Sequence, residues 1–172
     1  MADTADRPIR AAVMTMSDAG SRSERVDTSG DRIVEFLGDL HADVVSRVMI
    51  PDDRDQIRHH LCRLADEERV DLIVTTGGTG LAPRDVTPDV TAEVVDCQAP
   101  GMAEAMRAYS LQKTPFGMLS RQVVGVRGRT LIVNLPGSPK AVTECLEVLQ
   151  PVLSHSVQLI RGMPVDHTPP TG

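Results

Sequence analysis

The stretch Thr75-Thr76-Gly77-Gly78-Thr79-Gly80-Leu81-Ala82-Pro83-Arg84-Asp85-Val86-Thr87-Pro88-Asp89 concentrates the residue types that handle phosphate. Its glycines expose successive backbone N–H groups and permit the close approach an anion needs. The same run also suits a tight strand-to-helix turn. It is neither a Walker loop, since no G-K-[ST] follows, nor the G-x-G-x-x-G of dinucleotide-binding folds. Arg84 can fork two phosphate oxygens and Asp85 can hold Mg²⁺ or orient a nucleophile. A solvated ion pair is the plainer use of those two residues. Asp52 and Asp53 follow Ile50-Pro51, where either can cap the next helix or join Asp85 at Mg²⁺. Asp18, after Ser17, is a further loop carboxylate or a turn former, and Ser120-Arg121 and Ser138-Pro139-Lys140 add hydroxyl and cationic groups.

Other chemistries lack support. His41, His59, His60, His155 and His167 form no H-x-x-x-H or H-E-x-x-H arrangement, so a histidine-ligated metal is not expected. No G-x-S-x-G elbow occurs. Cys62, Cys97 and Cys145 are far apart and odd in number, which points to reduced core thiols, neither a disulfide framework nor a thiolate zinc site.

The elements that must position these groups are legible from periodicity. Ala11–Met16 reads as a buried strand feeding a polar loop, and Asp27-Thr28-Ser29-Gly30 offers N-caps to a helix with Ile33, Phe36, Leu37 and Leu40 at helical spacing. A strand over Val44–Ile50 precedes a helix that carries Ile57, Leu61, Leu64 and Ala65 on one face, and Leu72–Thr75 is a β-branched strand. Thr87 is expected to cap the next helix, with Pro88 at its first position and an end before Pro100-Gly101. A helix near Met102–Leu111, strands near Gln122–Val126 and Thr130–Val133, and a turn at Asn134-Leu135-Pro136-Gly137 follow. Ser138-Pro139 opens a helix that Pro151 is expected to break or kink, with a last stretch over Val152–Ile160. Strands alternating with helices predict a three-layer αβα sandwich on a mostly parallel sheet. Parallel strands would bring three loops, Ser17–Gly20, Gly77–Asp85 and Asn134–Ser138, to one sheet edge.

The chain has 172 residues, 41% of them hydrophobic, a size that suits one domain able to bury a core. Aromatic residues make up 2% and the net charge is -6, which argues against a base-stacking or basic nucleic-acid surface. No apolar run reaches membrane-spanning length, so no membrane partner and a cytoplasmic location are expected. Residues 1–8 read as a disordered tail, 9–162 as the domain and 163–172 as a flexible tail.

Taken together, Thr75–Gly80 continuing to Arg84–Asp89, with Ser17-Asp18, Asp27–Gly30, Pro51-Asp52, Pro100-Gly101, Leu119-Ser120-Arg121 and Asn134–Pro139, resemble the MogA/MoaB family of molybdenum-cofactor biosynthesis proteins over about residues 9 to 162. The resemblance implies a homotrimer and Mg²⁺-dependent transfer of AMP from ATP to molybdopterin with release of pyrophosphate. Handover of the product to a molybdenum-insertion protein is also implied. It places Asp52 and Asp85 as catalytic and metal-holding residues. It assigns Ser17, Asp18, Gly77, Gly78, Thr79, Gly80, Arg84, Ser120, Arg121, Pro136, Gly137 and Ser138 to substrate binding. The loop Ser21-Arg22-Ser23-Glu24-Arg25-Val26 is less glycine-rich than in active relatives, and this motivates the alternative of a non-catalytic pterin-binding or carrier protein of the MoaB type. A trimeric interaction scaffold is a third reading.

Overall fold

Period-two alternation in β1 (Arg10–Met16) sets the layering. Ala11 and Val13 enter one apolar cluster, whereas Ala12, Met14 and Met16 enter another on the opposite face. The same division recurs in β3 (Leu72–Thr76) and β6 (Thr130–Leu135), where Ile73 and Ile132 face away from Leu72, Val74, Leu131 and Val133. Strands buried on both faces are what a sheet sandwiched between helix layers requires. The computed structural model describes residues 7–21 and 26–164.

Within it, six strands run in the order β2-β1-β3-β6-β5-β4. Here β2 is Asp43–Ile50, β4 is Cys97–Gln98 and β5 is Val124–Arg127. The first four in that order are parallel, β5 pairs antiparallel with β6, and β4 pairs antiparallel with β5, so the sheet is mostly parallel as expected. The β5–β6 hairpin turns through Gly128 at φ 56, the left-handed region that favours glycine. The two-residue edge strand β4 has no periodicity to betray it and was not foreseen.

One face carries α2 (Thr28–Asp39), α5 (Pro100–Lys113) and α6 (Pro139–Arg161), which contribute Ile33, Leu37, Met106, Val142 and Leu146 to the core. The other carries α3 (Arg54–Cys62), which continues through a π-helical turn at Arg63–Glu67, and α4 (Thr87–Val94). There Ile57, Leu61, Leu64 and Ala65 pack as the sequence predicts. A four-residue helix, α1 (Asp18–Ser21), follows β1.

Three expectations are corrected. Pro151 does not break α6, which runs unbroken to Arg161 and closes on Gly162 at φ 76. An internal proline costs about 3 kcal/mol. Burial of Leu149, Leu153 and Val157, each contributing about 1.5–3 kcal/mol, offsets that cost. Among the cysteines only Cys145 is a core thiol; Cys62 is half-buried and Cys97 is exposed on the edge strand. Thr87 does not cap α4: Val86 occupies the cap position and no side chain bonds the first turn. At the N-terminal end of the described chain, Arg7 donates to Asp71 and the Pro8 carbonyl accepts from Arg161. Residues 1–6 and 165–172, which carry the rest of the two expected tails, lie outside the described residues, as do positions 22–25 of the first loop.

Candidate active site

Strand β1 sends the chain toward β2 on one side, whereas the chain from its neighbour β3 continues toward β6, β5 and β4 on the other. Their carboxyl ends therefore border a crevice, the place where open α/β sheets bind ligands. A cleft of about 390 Å³ opens there. The three loops predicted to converge do so: Ser17 and Asp18 line it from the first, Gly77 and Gly78 from the second, Gly137 and Ser138 from the third.

The loop after β3 takes its shape from two glycines in the left-handed region, Gly77 at φ 96 and Gly78 at φ 64. A Cβ on Gly77 would lie 2.3 Å from the Met16 carbonyl oxygen, so only glycine lets this loop cross the end of β1. Beneath it, buried Asn134 donates to the hydroxyls of Thr75 and Thr91, each at 3.0 Å, and accepts from the Val123 amide. Asn134 is thus a strand residue tying β3, α4 and β6 together, where the sequence suggested a turn.

The adjacent aspartates Asp52 and Asp53 divide their roles. Asp53 caps α3, accepting from the Gln56 amide at 3.0 Å. Asp52 is thereby left to line the cleft, and its Oδ1 is buried with no hydrogen-bond partner. Burial raises its pKa above the ordinary carboxylate range; the negative charges of Asp18 and Asp85 push the same way, and Arg84 offsets them only in part. Asp18 accepts from the Asp52 amide at 3.1 Å and from both Nε and Nη2 of Arg84, at 3.0 and 2.5 Å. The Arg84 fork therefore grips Asp18.

Not every predicted residue reaches the cleft. Thr79 is buried and Asp85 turns inward to accept from the Ala82 amide at 2.9 Å, holding its own loop. The Arg121 guanidinium donates to the carbonyls of Gly80 and Asp85 and to both oxygens of Asp89, so it clamps the glycine loop to α4. Ser120 lies beside it, away from the cleft lining. Pro136 acts through its carbonyl, which accepts from Thr76 at 2.6 Å.

Two polar residues were underrated by sequence. Asp27 caps α2 and also accepts from the Thr15 hydroxyl at 2.8 Å and from Arg47 at 3.0 Å. Ser29 donates to the Gly137 carbonyl at 2.7 Å, fastening α2 to the third loop. Both line the cleft. Their sequence signals are a run of N-cap residues after a strand exit and a place among the motifs of the family resemblance.

Among the described residues no three His, Cys, Asp or Glu side chains form a ready metal cage. Mg²⁺ does not demand one, because it takes one or two carboxylates and completes its shell with water and phosphate. Asp52, half-buried with its Oδ1 shielded and unpartnered and with Asp18 and Asp85 raising its pKa, fits that pattern.

Comparison with known proteins bears on the family and the fold. The family described as the probable molybdopterin binding domain matches residues 12–155. A Helicobacter pylori protein named molybdopterin adenylyltransferase is 42% identical over 161 residues, covering 90% of this chain and 89% of that protein. The Drosophila melanogaster molybdenum cofactor synthesis protein cinnamon is 40% identical over 149 residues, 86% of this chain but 25% of the fly protein. Among solved structures, the molybdopterin biosynthesis enzyme MoaB of Thermus thermophilus superposes with a TM-score of 0.86 at 49% identity, covering 92% of this chain and 99% of that one.

Proposed function

The chain belongs to the family of probable molybdopterin binding domains, and from that premise we propose that it is a molybdopterin adenylyltransferase of molybdenum-cofactor biosynthesis. The observation that carries the reading is the cleft itself, in which a glycine-lined backbone cradle stands beside a half-buried, electrostatically disfavoured carboxylate. A cradle of N–H groups suits the phosphates of ATP and of the pterin, and the carboxylate suits the cation that accompanies ATP.

In the reaction, a terminal phosphate oxygen of molybdopterin attacks the α-phosphorus of ATP. The new P–O bond forms as the α–β anhydride bond breaks, and pyrophosphate leaves. Asp52 would hold the Mg²⁺ that accompanies ATP, and that ion would supply counter-charge for the departing pyrophosphate. The Gly77 amide is taken by the Leu135 carbonyl at 3.3 Å, so within the second loop the backbone donor to phosphate oxygens is that of Gly78, joined from the third loop by Gly137 and Ser138. Asp52, with the charge of Asp85 acting on it, would supply the negative field for that cation, and Asp18 keeps Arg84 at the rim. Arg121 serves by fixing the loop that carries the cradle. Catalysis then consists of positioning and electrostatics.

The same proposal covers residues 9–162 as the working domain, a homotrimeric assembly and a cytoplasmic location. Exposed Phe116, Met118 and Leu119, on the 3₁₀ turn Pro115–Leu119, support a subunit contact. The free cysteines suit a reducing compartment. Among the described residues no helix is long and apolar enough to cross a membrane. Handover to a molybdenum-insertion partner is proposed on the fly relative, a longer cofactor-synthesis protein of which this chain matches a quarter.

The test mixes the protein with molybdopterin, ATP and Mg²⁺ and seeks an adenylylated pterin by mass spectrometry. Product that disappears in a folded Asp85→Ala variant supports the enzyme. Tight pterin binding without pyrophosphate release moves the assignment to the carrier reading, which the capture of the Arg84 fork by Asp18 favours.

A further inference from the structure

Thr87 is completely buried, and its hydroxyl has no hydrogen-bond partner among the described residues. Helix capping, the obvious use for a threonine before a proline, does not employ it. Buried hydroxyls are nearly always paired, so an idle one needs a reason. Its surroundings supply that reason. A Cβ built on Gly78 would lie 2.6 Å from Thr87 Oγ1 and 2.8 Å from Asp52 Oδ1. Both oxygens therefore close over the bare Cα of Gly78 from the same side, and both are shielded from solvent without a partner. One is a rotatable donor and the other a carboxylate acceptor. The Thr87 amide also donates to the Gly78 carbonyl at 3.2 Å, so Thr87 is already fastened to the glycine that separates it from Asp52.

We propose that Thr87 is a positioning residue: the two atoms are not bonded in this structure, and a small closing movement lets the Thr87 hydroxyl donate to Asp52 Oδ1 and hold the carboxylate so that Oδ2 faces the cleft. The inference rests on the adenylyltransferase reading for its catalytic consequence, though not for its geometry. A carboxylate that holds a cation is itself usually held from behind by a donor, and loss of that donor weakens metal affinity or activity by 10–100-fold in general. The proposal also gives Gly78 a second role, because any side chain there would wedge the donor and acceptor apart.

Two experiments decide it. A crystal structure of the wild-type protein is expected to show Thr87 Oγ1 within about 3.0 Å of Asp52 Oδ1. A hydroxyl bonded instead to a backbone carbonyl overturns the proposal, whatever the protein catalyses. Kinetics and cation binding are then compared in Thr87→Val, which keeps the volume, and Thr87→Ser, which keeps the hydroxyl. Thr87→Val is expected to lose roughly 10–100-fold in kcat and in Mn²⁺ affinity measured by calorimetry, with the KM for the pterin unchanged and circular dichroism intact. Thr87→Ser is expected to recover most of both. Wild-type kcat and Mn²⁺ affinity in a folded Thr87→Val variant refute the role. If wild-type protein forms no adenylylated pterin, the functional reading fails by itself and the crystallographic distance still judges Thr87.

Discussion

Asp71 and Asp52 stand at opposite ends of one sheet, the first just before β3 and the second just after β2, and their surroundings are opposite too. Asp71 is 3% exposed and receives the forks of Arg161 and Arg7 together with the Arg10 amide. Burial by itself would raise its pKa, but the hydrogen bonds from Arg161 and Arg7 and the Arg10 amide more than reverse that and bring it to about 2. Asp52 is also taken partly out of water, yet its buried Oδ1 has no partner, and its carboxylate neighbours push its pKa up. The amino-terminal end of the sheet thus uses a charged network to close the fold. At the carboxyl-terminal end, a similar carboxylate is kept in a state that a bound cation would relieve.

The largest expected effect comes from breaking the satisfied end. Asp71→Asn leaves buried Arg161 without its counter-charge and is expected to cost about 3–5 kcal/mol, read as a lowered denaturant midpoint. The matching change at the other end, Asp52→Asn, removes a group whose ionised form the fold disfavours. It is expected to leave thermal stability unchanged or slightly raised while adenylyl transfer falls on the order of 10²–10³-fold. A variant that lost stability along with activity would show that Asp52 is structural after all.

Acid titration sharpens the contrast. With its pKa lowered on folding, Asp71 contributes stability that is fully present above about pH 4 and is lost as pH falls toward 2. The contribution is about 2 kcal/mol, and urea midpoints measured across that window should show it in wild type but not in Asp71→Asn. The smallest effect separates two left-handed glycines. Gly128→Ala, where an added Cβ meets nothing within 4 Å, should cost about 1 kcal/mol of backbone strain. Gly77→Ala should cost more and also abolish pterin binding, because its Cβ would strike the Met16 carbonyl. Equal losses at the two positions would mean that the crossing of loop and strand is softer than it looks.

Much of the architecture was legible because burial imposes periodicity. The apolar runs of β1 and β3, the helical stripes of α2 and α3, and the three loops at one edge follow from alternation and spacing alone. The fate of Pro151 was not, since local propensity argues for a break while distant packing of Leu153 and Val157 keeps the helix. Thr87 was misread for a similar reason: a threonine before proline is a good cap, and nothing local reveals that Val86 will take that position.

By itself the sequence determined the layered fold, the glycine cradle and the small set of carboxylates, hydroxyls and arginines from which a phosphate site is made. Tertiary structure alone decided how those groups are spent. Asp53 went to a helix cap and Asp52 to the cleft; Arg121 closed on the glycine loop, and Arg84 on an aspartate 66 residues away. The physical reason is that each polar side chain has a limited hydrogen-bonding capacity, and the partners that claim it come from segments brought together only when the chain folds.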